Sequence, residues 1–331
     1  MENPYVTRTP VKDLSGFYER KEIVDRVFGD IARKQIQSHC ITGERRIGKT
    51  SLLFHIMHKE VQTRYMKKIE SLILLSTDIA FFPGASPTDF FREWARDICK
   101  ASGQDSPSDP GYLDFRRFIK DVTETGYRIV ILIDEFESTK GNPNLDRGFF
   151  EFLRALTQNY HIAFVLFSRI PLQYLMKEEK FSGKYSSPFF NTINVSYLKF
   201  LEESEARRLI VEPAQKAGVD ITDFTEFILE QGYHHPFLLQ LLSSIVFTYK
   251  SSSRIDHEKV AREFQIQTED FFTYLWDHSD SDEQEALKKL TSHGGDIAKI
   301  ARDKLDRRSL LTKDKEKIFC PLFEDFIRKQ I

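Results

Sequence analysis

The spacing of apolar and polar residues changes several times along the chain, and each change predicts an element. Ile23, Val24, Val27, Phe28 and Ile31 recur at helical spacing. His39 to Thr42 is a short, partly apolar strand that runs into Gly43. Beyond it, Leu52, Leu53, Ile56 and Met57 mark one face of a helix, and Ser71 to Ser76 predicts a second strand. Amphipathic helices are expected over Thr88–Lys100, Tyr112–Thr123 and Gly148–Asn159. Arg128 to Asp134 is an unbroken apolar run closed by an acid, the pattern of a strand buried on both faces. His161 to Ser168 predicts another such strand, and Thr192 to Tyr197 a fifth. Strands alternating with helices imply an α/β fold, a parallel sheet covered on both sides.

The pattern changes near Leu201. Helices are expected over Glu203–Ala217, Thr222–Gln231, Phe237–Tyr249 and His257–Trp276, with no clear strand among them. Ser279–Glu283 reads as a polar, acidic hinge. The remainder reads as a helix, a turn at Gly294-Gly295, a helix, a hairpin formed by Ser309–Thr312 and Lys317–Phe319, and a last helix. That order resembles a winged helix-turn-helix. The expected organisation is therefore a parallel α/β core over residues 1–200, an all-α domain over 201–280 and a winged-helix domain over 281–331.

Composition narrows the functional classes. A net charge of −2 offers no general attraction for nucleic acid, so any such binding needs a local patch. Three widely spaced cysteines, Cys40, Cys99 and Cys320, suit a reducing compartment and no disulfide framework. The polar stretch Met1–Pro10 lacks a signal region, and no apolar run reaches membrane-spanning length, so a cytoplasmic protein is expected. Phenylalanine is abundant, 29 residues with pairs at Phe81-Phe82, Phe90-Phe91 and Phe271-Phe272. Most belong in a core, and a few exposed ones would suggest a partner surface, without the sequence saying which. His55 and His58 share a helix face, but no further ligand stands at a known metal spacing.

The chemistry concentrates at three predicted strand ends. Gly43, Glu44, Arg45, Arg46, Ile47, Gly48, Lys49 and Thr50 match GxxxxGK[ST] in full, with a strand before and a helix after, and Ser51 joins them as a candidate nucleotide-binding residue. Glycine lets the backbone turn its N–H groups inward, where they and the positive helix end hold phosphate oxygens. Lys49 is expected to reach the β- and γ-phosphates and Thr50 to place its hydroxyl on Mg²⁺. Asp134 and Glu135 end the buried strand. Asp134 suits the metal's water shell, and Glu135 suits orienting or deprotonating the attacking water. Glu137 reads as a solvated loop acid. Ser168 and Arg169 end the next strand, where ligands of such sheets lie. Arginine's planar fork suits a γ-phosphate.

These strings, ITGERRIGKTSLL, ILIDEFE, LFSRIPL and Gly232-Tyr233-His234-His235-Pro236-Phe237-Leu238-Leu239-Gln240, together resemble the STAND class of P-loop ATPases. The chain is particularly similar to prokaryotic AAA-like ATPases with a C-terminal winged helix, relatives of the NACHT and archaeal ATPase groups. The opening, Asn3-Pro4-Tyr5, Pro10-Val11 and Phe17-Tyr18-Glu19-Arg20, fits as well, and the likeness covers nearly the whole chain. It implies that Lys49 and Thr50 bind phosphate and Mg²⁺, that Asp134 and Glu135 are the acidic pair, and that Arg169 is a sensor arginine in cis. It also implies that Pro236 packs near the base and that Pro10–Arg20 lines the adenine pocket. Two departures stand out: Glu19 precedes the arginine where relatives usually carry Gly or Asp, and Tyr-His-His widens the short GxP motif.

The resemblance implies a RecA-like P-loop core, a helical lid and a winged helix, working as an ATP-binding, slowly hydrolysing switch in signalling or defence. Relatives carry effector and sensor modules for which this length leaves little room, so a separate partner or a homo-oligomer is expected. The alternative is a DNA-binding AAA+ ATPase of replication-initiator or transposition-helper type. Residues 281–331 hold twelve Lys or Arg against ten acids, with Lys299, Arg302, Lys304, Arg307 and Arg308 on and after the expected recognition helix. Asp296, Asp303 and Asp306 interleave with them, so the bias toward DNA is weak.

Overall fold

The computed structural model describes residues 2–18, 20–105, 107–175, 188–252, 256–292 and 296–331. The expected turn at Gly294-Gly295 and the departure at Glu19 lie outside these residues. The chain forms two compact units: one of Arg20–Gly43 and Lys49–Leu198, the other of Met1–Glu19, Glu44–Gly48 and Lys199–Ile331.

The first unit is an α/β layer structure. Its strands are β1 (His39–Thr42), β2 (Leu72–Asp78), β3 (Arg128–Asp134), β4 (Ile162–Ser168) and β5 (Asn194–Tyr197). All pair in parallel, in the order β2-β3-β4-β1-β5. Its helices are α1 (Lys21–Ala32), α2 (Lys49–Met57), α3 (Lys59–Tyr65), α4 (Pro87–Ser102), α5 (Tyr112–Glu124), α6 (Arg147–Asn159) and two short ones, α7 (Leu172–Leu175) and α8 (Pro188–Asn191). Every residue of β4, and all of β3 after Arg128, is buried. Ile129, Ile131, Ile133, Ile162, Phe164 and Leu166 face one continuous core with Phe91, Trp94, Phe115 and Phe150. The alternate residues Val130, Leu132, Val165 and Phe167 are buried too, so both faces are covered as the apolar runs required.

The phenylalanine pairs divide by position. Phe90 and Phe91 lie on the buried face of α4, where Phe91 stacks on Phe115 with centroids 4.6 Å apart. Phe81 is 80% exposed in the turn after β2. Helix α4 starts at a reciprocal Ser86–Asp89 capping box with Pro87 in its first turn and stops at Gly103 with φ of 72°. At the edge of the sheet, His39 Nδ1–H donates to Asp30 Oδ2 at 2.8 Å, and Ser196 Oγ lies 2.9 Å from Nε2. Asn194 Nδ2 also donates to Asp30 Oδ2, at 2.9 Å, so this buried polar cluster is internally bonded. Burial lowers the His39 pKa, partly offset by Asp30.

Strand β2 runs two residues past the expected Ser71–Ser76. Thr77 and Asp78 are polar because they stand at the strand's tip: Thr77 accepts the Trp94 indole N–H at 2.8 Å, and Asp78 pairs in register with Asp134.

The second unit is helical. Its helices are α9 (Glu203–Lys216), α10 (Thr225–Gly232), α11 (Pro236–Ser251), α12 (His257–Asp277), α13 (Ser281–Thr291), α14 (Lys299–Arg307) and α15 (Pro321–Arg328). One hydrophobic cluster runs from Leu201 to Ile327 and includes Tyr5 and Tyr18. The N-terminal segment is tied on by Asn3 Nδ2, which donates to the Ser244 carbonyl at 2.9 Å, and by Val6 N–H, which donates to Gln240 at 2.8 Å. Ser279–Glu283, read above as a hinge, is the capped start of α13: Asp280 and Glu283 bond each other's backbone N–H groups. The expected hairpin is a single antiparallel bridge, Leu311 with Ile318, supported by the Phe319 N–H bond to the Leu310 carbonyl at 3.2 Å.

Candidate functional site

In the sheet unit, the parallel order gathers three strand ends. β4 lies between β1 and β3, so the tip bearing Ser168 and Arg169 stands between the tip that enters the glycine loop and the tip bearing Asp134. Gly43 N–H bonds the Ser168 carbonyl at 3.0 Å, which fixes where the loop leaves the sheet. Lys49 opens α2. Its side chain is buried back along the loop, with Nζ donating to the Gly43 carbonyl at 3.0 Å. Thr50 Oγ1 donates to Asp134 Oδ2 at 2.7 Å across 84 residues of sequence. Ser51 follows in the first turn of α2, half-buried.

Asp134 is 4% exposed. Burial pushes its pKa up, against hydrogen bonds from Thr50 and the Glu135 N–H. Glu135 is half-buried and takes a left-handed conformation, φ 49° and ψ 42°, which a side chain adopts only when its surroundings impose it. Its pKa is also raised, first by burial and next by the carboxylate of Glu137. One carboxylate and one hydroxyl side by side make a partial shell. That donor set fits Mg²⁺, which fills its other positions with phosphate oxygens and water.

Glu137 is not the solvated acid expected from the sequence. Its side chain is 7% exposed, and it accepts the Arg169 N–H at 3.1 Å while Arg169 Nε lies 3.5 Å from its other oxygen. The apolar residues of the turn after β3, among them the fully buried Phe136, pull it inward, and Arg169 supplies the compensating charge. No local pattern signals this contact, because its partner lies 32 residues away.

Within the helical unit, the loop's middle residues Glu44–Gly48 are held by side chains. Glu44 Oε2 accepts Arg308 Nε at 2.7 Å. The Arg45 guanidinium lies 4.4 Å above the ring of Tyr274, and that of Arg46 lies 4.1 Å above the ring of Phe237. Arg46 has φ of 62°, Ile47 is fully buried, and Gly48 has φ of 103°, a value that side chains rarely adopt. Pro236 is the first residue of α11, where the missing N–H costs nothing. Gly232 is the last residue of α10, and a Cβ there would come within 3.3 Å of the Leu239 backbone nitrogen.

Of the five basic residues on and after the expected recognition helix, Arg302, Lys304 and Arg308 are engaged by acids. Arg308 is buried against Glu44 and Glu283, Lys304 bonds Asp280 at 2.7 Å, and Arg302 lies 3.6 Å from Asp296. Asp306 is met by Lys199 at 2.8 Å and Lys315 at 3.0 Å.

No helix among the described residues is long and apolar enough to cross a membrane. Among solved structures, the chain is similar to the Walker-type ATPase PabY2304 of Pyrococcus abyssi, with a TM-score of 0.65 and 14% identity over 97% of this chain and 99% of that one. It is also similar to the ADP form of the Aeropyrum pernix ORC2 protein, with a TM-score of 0.57 and 15% identity over 99% of this chain and 88% of that one. The Aeropyrum pernix ORC1 protein in complex with DNA gives a TM-score of 0.50 at 12% identity, covering 95% and 93% of the two chains. No curated protein matches the chain significantly in sequence. At these identities the likeness speaks for a P-loop ATPase fold. A family model, Novel STAND NTPase 2, matches residues 31–295. With that match over most of its length, and with a complete phosphate loop at the head of a parallel sheet, the chain belongs to the novel STAND NTPase 2 family.

Proposed function

We propose that the protein is an ATP-binding, slowly hydrolysing molecular switch. The observation that carries this reading is the 2.7 Å bond between Thr50 and Asp134 beside the buried Lys49, which joins the loop to the acidic strand end. In this reading the backbone of Gly43–Thr50 and Lys49 bind the phosphates. Thr50 and Asp134 would hold Mg²⁺, which would supply positive charge to the bound phosphates. Glu135 orients the attacking water and takes up its proton, a role suited by a carboxyl pKa raised by burial. Arg169 senses the γ-phosphate and must leave Glu137 to do so. Pro236 and the segment Pro10–Arg20 contribute to the base pocket. Residues 201–280 act as a lid and 281–331 as a winged helix, and the nucleotide state biases their arrangement by differential affinity. In this reading the switch works with a separate protein partner or as a homo-oligomer.

Lys49→Ala should abolish ATP and ADP binding measured by calorimetry, with the fold intact by circular dichroism. Unchanged affinity would remove the loop from the nucleotide site.

The second reading, a DNA-binding AAA+ ATPase, draws on the fold likeness to an archaeal ORC1 protein solved with DNA. The ion pairs of Lys304, Arg302 and Arg308 count against it, since phosphate contacts need cations open to the duplex. A salt-dependent, ATP-strengthened gel shift would favour this second reading.

A further inference from the structure

Glu44 is the second residue of the phosphate loop, and its side chain is 4% exposed. A buried carboxylate in a loop that holds an anion opposes the phosphate's charge. Both of its oxygens are engaged. Oε1 accepts the Arg45 N–H at 2.8 Å, so the side chain braces the loop's own backbone, and Oε2 accepts Arg308 Nε at 2.7 Å.

Arg308 is fixed on its other edge. Nη1 donates to Glu283 Oε2 and to Ser279 Oγ, each at 2.9 Å, and Nη2 reaches the Leu275 carbonyl at 3.3 Å. These acceptors are themselves held. Glu283 Oε2 accepts the Asp280 N–H at 3.0 Å, and Ser279 Oγ donates to the Leu275 carbonyl at 2.8 Å. The planar fork therefore spans from the α12–α13 junction to the loop, a geometry that an ammonium group could not reproduce. Arg45 and Arg46, stacked on Tyr274 and Phe237, hold the next two residues. Three consecutive loop residues are thus anchored by side chains of α11, α12 and the end of α14.

We infer that Arg308 is a positioning residue for the nucleotide site: by pairing with Glu44 it neutralises the one carboxylate built into the phosphate loop, so that the loop can accept an anion. The inference rests on the reading of Gly43–Thr50 as the nucleotide site. It gives α14 a role in nucleotide affinity rather than in DNA contact. By linkage, bound nucleotide favours the arrangement in which Arg308 is engaged.

The test is a charge cycle of Glu44→Gln, Arg308→Gln and the double variant, with Arg308→Lys and Lys49→Ala beside it. Each is titrated with a fluorescent ADP and unfolded in urea. Arg308→Gln leaves Glu44 charged and uncompensated, and should weaken ADP about tenfold or more. Glu44→Gln alone should change affinity by no more than about threefold, and the double variant should return to within about threefold of the parent. Its stability should stay low, because Glu283 still lacks its partner. Arg308→Lys, with the charge but not the fork, should fall between. If Arg308→Gln does not fold, Arg308→Lys with and without Glu44→Gln carries the same comparison. Parental ADP affinity in Arg308→Gln, or a double variant as weak as Arg308→Gln, overturns the inference. If Lys49→Ala still binds ADP, both the inference and the reading beneath it fall. If Lys49→Ala loses ADP while the Glu44 and Arg308 effects simply add, only the inference falls.

Discussion

Glu137→Gln tests whether Arg169 reads the γ-phosphate. Glu137 accepts the Arg169 backbone N–H at 3.1 Å and faces its Nε at 3.5 Å. The glutamine keeps an acceptor for the N–H and removes the charge that holds the guanidinium. At 3.5 Å and an effective dielectric of about 20, the attraction is about 5 kcal/mol. Desolvation offsets most of it, leaving a net worth of about 1–2 kcal/mol for this partly buried ion pair. A γ-phosphate must outbid that bond, and ADP does not compete for it. Removing the carboxylate should therefore tighten a non-hydrolysable ATP analogue by about tenfold, at about 1.4 kcal/mol per decade, while ADP affinity stays within about twofold. Calorimetry with each nucleotide in Mg²⁺ measures both. An unchanged ATP-to-ADP ratio, or a shift toward ADP, would show that Glu137 does not restrain a γ-phosphate sensor.

Glu135→Gln should bind ATP normally and lose turnover by at least about a hundredfold, the range of a general base, in a phosphate-release assay; a parental rate removes Glu135 from that role. Gly48→Ala places a side chain at φ of 103°, and should cut nucleotide affinity while costing about 1–2 kcal/mol in urea denaturation. His39 and His55 should make the fold acid-sensitive. Burial lowers both pKa values below the ordinary 6.5, that of His55 to about 4. The unfolded chain takes up their protons as pH falls below 6.5 and the folded chain does not, so stability is full above 6.5 and declines down to the folded values. His55 alone contributes roughly 3 kcal/mol over that window, at about 1.4 kcal/mol per unit. His55→Asn should flatten the urea midpoint between pH 7 and pH 5, and an unchanged slope would refute the assignment.

What the sequence disclosed follows from how local each signal is. β3 and β4 were legible because burial on both faces leaves an uninterrupted apolar run. The phosphate loop was legible because backbone geometry constrains its glycines, seen in the φ of 103° at Gly48. The end of β2 was not, since Thr77 and Asp78 look like loop residues until Trp94 and Asp134 are placed beside them. Glu137 was misread for the same reason, and the burial of Arg308 gave no local sign either. A charged residue reads as solvated by default, and only a partner distant in sequence shows that it is buried. For Arg308 that partner is Glu44, 264 residues earlier. Ser279–Glu283 looked like a hinge because polar, acidic residues mark both linkers and helix starts, and the reciprocal bonds of Asp280 and Glu283 decide between them.

The two arginines make different demands on a switch. A ligand bound equally by two states shifts nothing, however tightly it binds. A group that distinguishes ATP from ADP must touch what differs, the γ-phosphate, and in the proposed reading that group is Arg169. Arg308 bonds Glu44, Glu283, Ser279 and Leu275, so it acts on the loop that either nucleotide uses. Variants of the Glu137–Arg169 pair should therefore alter the ATP-to-ADP ratio, and variants of the Glu44–Arg308 pair should move both affinities together. If Arg308→Gln changed the ratio instead, discrimination would reach α14 directly, and the loop would be a sensor of nucleotide state rather than a shared grip. Measuring both nucleotides on both pairs separates a switch with a single reader from one whose phosphate loop also reads.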